Sequence, residues 1–165
     1  PALETVEAKP RTVRQNGSGD YKTLTGAIKS ITSGNTRSVI IDIGTGVYNE
    51  KIKIEKDKRS GRLKEDQAVA LRSGGDKAAF YNCRLIGFQD TLCDDKGRHF
   101  FKNCYIEGTV DFISGSGKSL YLGTKKKVLA DQGLAVITAQ ARHKEDDTGF
   151  SFVHCKVNGI GKDLR

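Results

Sequence analysis

Apolar positions along this chain keep two rhythms. From Leu24 to Ile31 they recur at helical spacing, as Leu24, Ala27, Ile28 and Ile31. A turn at Gly17-Ser18-Gly19-Asp20 precedes them, and Thr23 or Thr25 can cap the N-terminus of that helix. The expected stop is Ser33-Gly34-Asn35. Elsewhere the apolar residues come in short runs, several of them alternating, which is the strand rhythm. The pattern predicts strands over residues 38–43, 51–55, 68–71, 78–81, 119–122 and 135–138, with a connection at 44–48. One amphipathic helix ahead of a series of strands suits a cap over the open end of a solenoid.

Two of the apolar runs are one run written twice, 21 residues apart. Phe80-Tyr81-Asn82-Cys83-Arg84-Leu85-Ile86-Gly87-Phe88-Gln89-Asp90-Thr91-Leu92 is followed by Phe101-Lys102-Asn103-Cys104-Tyr105-Ile106-Glu107-Gly108-Thr109-Val110-Asp111-Phe112-Ile113. Phe, Asn, Cys, an aliphatic residue, Gly, Asp and a second aliphatic residue return in register. A weaker third copy starts at Phe152 and keeps the Phe, Cys155, Val157 and Gly159. A period near 20 with strand-type residues marks a solenoid in which one repeat makes one coil. Equivalent positions then stack at about 4.8 Å, the spacing of a parallel ladder. Asp90 and Asp111 are therefore expected side by side. Two carboxylates so placed resist ionising together, so one should hold its proton while the other stays charged.

Composition narrows the class. At 165 residues the chain is expected to be a single domain, residues 1–165, with a core of its own. No apolar run approaches the roughly 18 residues of a membrane span. No secretory leader is recognisable, and a start at Pro1-Ala2-Leu3 with no Met reads as a mature or excised piece. The net charge of +8 favours a polyanionic partner. Nucleic acid is not favoured: there is no zinc-finger spacing, no aromatic ribonucleoprotein motif and no basic helix. Lys125-Lys126-Lys127 is expected in an exposed turn, and the nearly all-charged stretch 56–65 in a loop or linker. Cys83, Cys93, Cys104 and Cys155 contain no C-x-x-C pair; three of them hold one repeat position and read as a column of small buried thiols, with a Cys83–Cys104 bridge geometrically allowed. Asn16-Gly17-Ser18 fits a glycosylation acceptor, which matters only for a secreted protein. His99, His143 and His154 form no triad pattern and read as ordinary polar residues.

Several motifs then carry a family resemblance. Gly46-Val47-Tyr48-Asn49-Glu50, Gln67-Ala68-Val69-Ala70-Leu71-Arg72, Gly87-Phe88-Gln89-Asp90-Thr91-Leu92, Gly108-Thr109-Val110-Asp111-Phe112-Ile113-Ser114-Gly115 and Ile137-Thr138-Ala139-Gln140-Ala141-Arg142 stand in this order. Together they resemble the plant pectinesterases (pectin methylesterases), in the branch that includes pollen allergens. The resemblance covers most of the chain. It implies an all-β, right-handed parallel β-helix with a short N-terminal capping helix, secretion to the plant cell wall, and hydrolysis of the methyl esters of polygalacturonate without metal or cofactor. It implies pectin (homogalacturonan) as partner, with a proteinaceous pectinesterase inhibitor as a further one, and neither nucleic acid nor membrane.

Carried over residue by residue, Asp111 would be the nucleophile and Asp90 the acid that protonates methanol and then activates water. Gln67 and Gln89 would donate to the oxyanion. Phe88 and Arg142 would touch substrate. Neutral amides suit an oxyanion because they stabilise charge without changing their own. Strict alternation would send Gln89 and Asp90 to opposite faces, so a bend is required between them.

The chain also departs from the family pattern. The charged stretch 56–65 stands where the family has several coils. Ser114 replaces the usual Phe, and Cys93 a frequent Tyr. The family's later L-G-R-P-W or L-G-R-A-W segment has no match before Arg165, and its role is not transferred to Arg165. Three readings follow: an active pectinesterase, a catalytically weak protein that still binds pectin, or another β-helix polysaccharide enzyme such as a glycosidase, because carboxylates about 5 Å apart also suit retaining hydrolysis. The glutamines beside the acids favour ester chemistry over the last.

Overall fold

The computed structural model describes residues 9–32, 34–55, 69–129 and 135–160. Strand β1 (Arg11–Val13) pairs in parallel with β2 (Ile41–Ile43), and helix α1 (Leu24–Lys29) lies between them in sequence. Thr23 is the N-cap, accepting from the Gly26 N–H at 3.1 Å. The next two orphan donors, the N–H groups of Leu24 and Thr25, both reach the Glu50 carboxylate at 2.9 Å. The helix closes at Lys29, earlier than the glycine at 34 suggested, because the Ser30 hydroxyl donates to the Ala27 carbonyl and competes with the next turn.

Strand β3 (Ile52–Glu55) begins a stack of coils. Four coils of three strands follow. The first is β4 (Leu71–Gly74), β5 (Ala78–Tyr81) and β6 (Arg84–Ile86). The second is β7 (Leu92–Asp94), β8 (Arg98–Lys102) and β9 (Tyr105–Gly108). The third is β10 (Ile113–Gly115), β11 (Lys118–Leu122) and β12 (Lys125–Leu129). The fourth is β13 (Thr138–Gln140), β14 (Gly149–Val153) and β15 (Lys156–Ile160). Each coil gives one strand to each of three parallel sheets, ordered β13-β10-β7-β4-β3, β14-β11-β8-β5 and β15-β12-β9-β6. The 21-residue repeat is the register itself: Phe80 pairs with Phe101, and Arg84 with Tyr105.

Inward positions stack into columns. Leu71, Leu92 and Ile113 form one, all buried. Phe80, Phe101, Tyr121 and Phe152 form another, with successive ring centroids 4.7, 4.7 and 4.8 Å apart. That is the interstrand spacing, so the backbone ladder dictates the ring stack. The corner between the second and third sheets is taken by Asn82, Asn103, Gly123 and His154, all with φ between 51° and 62°. Asn and Gly tolerate this left-handed conformation best, which is why the repeat carries Asn before its Cys. Cys83, Cys104 and Cys155 occupy the next position, with Thr124 at the third coil, and all four cysteines are free thiols.

Three expectations need correcting. Three strands start three residues later than the apolar pattern indicated: one at Ile41 and, in the coil stack, two at Leu71 and Thr138. Val69 and Ile137 are packed on the core from the corners ahead of those strands, so their apolarity reports burial and not strand backbone. Lys125-Lys126-Lys127 is no turn but the start of β12. Its middle residue enters the inward column between Ile106 and Val157 and is 3% exposed, with Nζ 4.0 Å from the Phe152 ring centroid. The long methylene stem makes this tolerable, and burial pushes the amine's pKa down. His99 is not an ordinary polar residue either: its Nδ1 lies 2.5 Å from the Asp94 carboxylate, with both side chains fully buried.

Candidate active site

Two corner segments, 87–91 and 109–112, lead from the third sheet into the first on consecutive coils. They are laced together by main-chain bonds. Gly87 N–H donates to Glu107 O at 3.2 Å, Thr109 to Phe88 O at 2.7 Å, Asp90 to Val110 O at 3.3 Å and Leu92 to Phe112 O at 2.9 Å. Gln89 and Val110 form a parallel bridge. This register sets Asp90 beside Asp111. Both have positive φ, 52° and 48°, where non-glycine residues are uncommon. Gln89 is exposed and Asp90, one residue on, is 7% exposed, the contrast that alternation along the chain gives.

The floor beneath the pair is rigid. Thr91, Leu92, Phe112 and Ile113 are fully buried. The Thr91 hydroxyl donates to the Glu107 carbonyl at 2.9 Å. Gly108 has no room for a side chain, because a Cβ would lie 2.3 Å from that of Phe112. The backbone holding Asp90 and Asp111 thus rests on close packing, not on loop flexibility.

The two carboxyls are electrostatically coupled. Burial pushes the Asp90 pKa up, the Ser114 side chain partly offsets this by hydrogen bonding to the carboxylate, and the charge of Asp111 pushes it up further. The net direction is upward, so Asp90 retains its proton to higher pH than an ordinary aspartate. Ser114 lies in β10 opposite Cys93. The sequence flagged it as a departure without giving it a task; its contact with Asp90 emerges only from the register.

The other expected site residues are distributed unevenly. Phe88 is 61% exposed on the corner beside Gln89 and Asp90. Gln67 lies outside the described residues. Arg142 is placed past the exit of β13, whereas the aspartates precede the entry of β7 and β10. It is exposed, and its Nη1 donates to the Thr148 carbonyl at 3.1 Å, bracing its own loop.

A buried polar network lies one turn of backbone deeper. Asp94 accepts from the Tyr121 hydroxyl at 2.6 Å and pairs with His99, whose Nε2 faces Ser73 Oγ at 3.1 Å and the Gly75 carbonyl at 2.7 Å. Burial alone would depress the His99 pKa, but the Asp94 hydrogen bond and charge outweigh it and the net shift is upward. Buried Tyr121 is held neutral, its pKa raised well above the usual value by burial and by the Asp94 charge. No motif spacing announces this cluster; it is assembled across three coils.

The pectinesterase family model matches residues 11–62 and, separately, 58–164. The break falls inside the charged stretch 56–65. Pectinesterase 2 of Olea europaea is 40% identical over an alignment of 220 residues that takes in 99% of this chain and 60% of that protein. That alignment is longer than the chain itself, so the relative carries positions with no counterpart here. The chain spans about 60% of the length of the curated relatives it matches. Among solved structures, carrot pectin methylesterase shares the fold, with a TM-score of 0.69 at 24% identity, over 95% of this chain and 66% of that one. A pectin methylesterase solved in complex with a hexasaccharide superposes with a TM-score of 0.67 at 24% identity, over 93% and 67%. The coil register, the ordered motifs and these matches lead to one conclusion: the chain belongs to the pectinesterase family.

Proposed function

We propose that this chain hydrolyses the methyl esters of polygalacturonate, releasing methanol and leaving carboxylates on the polysaccharide, and that it acts outside the cell on wall pectin. The observation that carries the reading is the pairing in register of Asp90 and Asp111 on adjacent coils, with Asp90 disposed to keep its proton. In the proposed cycle the ionised Asp111 attacks the ester carbonyl. The electron pair moves to the carbonyl oxygen, where Gln67 and Gln89 donate hydrogen bonds. Collapse breaks the C–O bond to methanol, and Asp90 gives the departing oxygen its proton. The acyl group is then held by Asp111 as an anhydride. Asp90, now ionised, takes a proton from water, the hydroxide attacks the acyl carbon, and both aspartates return to their starting states.

The solved relative with a bound hexasaccharide supports a carbohydrate substrate, and exposed Phe88 beside the pair offers a flat apolar face to a sugar ring. The net charge of +8 favours a substrate that carries carboxylates. The test is methanol release from methyl-esterified polygalacturonate. The wild-type chain should release methanol, and Asp111→Ala should abolish release while still binding pectin. Release undiminished in Asp111→Ala would reject the nucleophile, and no release by the wild type would reject the activity.

A further inference from the structure

The sheet of β6, β9, β12 and β15 carries cations on its outer face that the proposed hydrolysis does not use. Register places Arg84, Tyr105, Lys125 and Lys156 in one column. Arg84, Lys125 and Lys156 are exposed, and the Arg84 guanidinium lies 4.2 Å from the Tyr105 ring centroid. The neighbouring column holds Lys127, whose Nζ is 3.7 Å from the carboxylate of Glu107. Glu107 is the one acidic residue in these four strands. Lys125 and Lys156 are direct partners on adjacent strands, about 4.8 Å apart along the stack. Like charges placed opposite one another repel and weaken strand pairing. A row of anions laid along the coil axis would neutralise that repulsion, and the Tyr105 ring beside it offers a face for sugar C–H groups.

We propose that this outer face is a second binding surface, separate from the Asp90–Asp111 corner, for a linear polyuronate, an acidic polysaccharide whose carboxylates repeat along its length. The choice of a polyuronate over another polyanion rests on the proposed pectin chemistry. The surface would hold chain already freed of its esters while the aspartate pair works on a neighbouring stretch.

The test uses a Lys125→Thr/Lys156→Thr double variant, since threonine is well accommodated on an exposed strand face. A control, Lys22→Thr/Lys29→Thr, removes the same charge from the exposed side of the helix region. Titration with fully de-esterified polygalacturonate at low salt should show the strand variant weakened about 3- to 10-fold and the control near wild type. Without ligand, the strand variant should melt at or above the wild-type temperature, and polygalacturonate should raise its midpoint less than that of wild type. Equal affinity in the strand variant, or equal weakening in the control, would overturn the proposal. So would tighter binding of single-stranded DNA of matched charge. Asp111→Ala separates the two readings: it should lose methanol release and keep polygalacturonate affinity. If wild type releases no methanol and the strand variant alone loses affinity, the surface stands without the esterase.

Discussion

Asp90 and Asp111 stand on left-handed backbone that the rest of the coil imposes on them. Such strain persists where the surroundings over-determine it and is common at functional sites. Asp90 also stores an electrostatic cost, because its folded pKa lies above the unfolded one. A carboxyl of this kind contributes full stability below its unfolded pKa, and stability falls as pH rises through the folded value. Asp90→Asn should therefore melt higher than wild type at pH 7, by about 1–4 °C, and lose that advantage below about pH 3. The same variant should lose roughly 10²–10⁴ in methanol-release rate, since an amide cannot pass the proton. Melting curves over pH 3–8 and initial rates check both. The pairing of the aspartates was readable from the repeat, because a fixed period converts sequence spacing directly into spatial adjacency. Ser114 was not, since its approach to Asp90 depends on which side chain of the next coil faces the corner. Arg142 was drawn from the motif alone, and topology puts it at the other end of the sheet.

Among the elements, the coil strands were read well where the apolar run lies between two paired neighbours, as at residues 119–122, and late where core-facing residues sit in corners. The lysine run misled because charge argues for solvent while register argues for a strand, and two adjoining strands outweigh one buried amine. Long-range polar contacts left no local pattern. Asp94 and His99 are five residues apart, but Tyr121 and Ser73 belong to other coils. The His99 pKa is raised in the fold, so the stability it contributes is fully present below about pH 6.5 and is lost as pH rises through the folded value. Wild-type melting temperature should fall across that window, and His99→Gln should start lower and lack this fall. In the aromatic column, Phe101→Ala should cost about 3–5 kcal/mol by urea unfolding, since Phe101 is fully buried and stacked on both sides. Glu50→Ala should cost about 0.5–2 kcal/mol by removing the acceptor shared by two helix N–H groups. A carboxylate with a lowered pKa contributes only above its unfolded value, so that difference should shrink on acidification.

At the scale of the whole molecule, the described strands from β3 onward form a short solenoid in which β4 stacks directly on β3, although the charged stretch lies between them in sequence. Solenoids lose or gain coils without disturbing the register of those that remain, because each coil touches only its neighbours. This explains how the Asp90 and Asp111 corners keep their register on adjacent coils in a chain spanning about 60% of the length of its relatives. The net charge of +8 acts at the same scale. Affinity for de-esterified pectin should fall steeply between low salt and about 0.15 M, where charges are screened beyond about 8 Å, and salt-independent binding would count against a polyanion partner. The proposed chemistry depends on one geometric fact, the register that sets Asp90 beside Asp111 on successive coils. Carboxylate-selective NMR titration reads it without any substrate. The account predicts that Asp90 titrates above the usual aspartate range, and that Asp111→Asn lowers its midpoint because a neighbouring negative charge is gone. An Asp90 that titrates in the ordinary range and does not move in Asp111→Asn would contradict it.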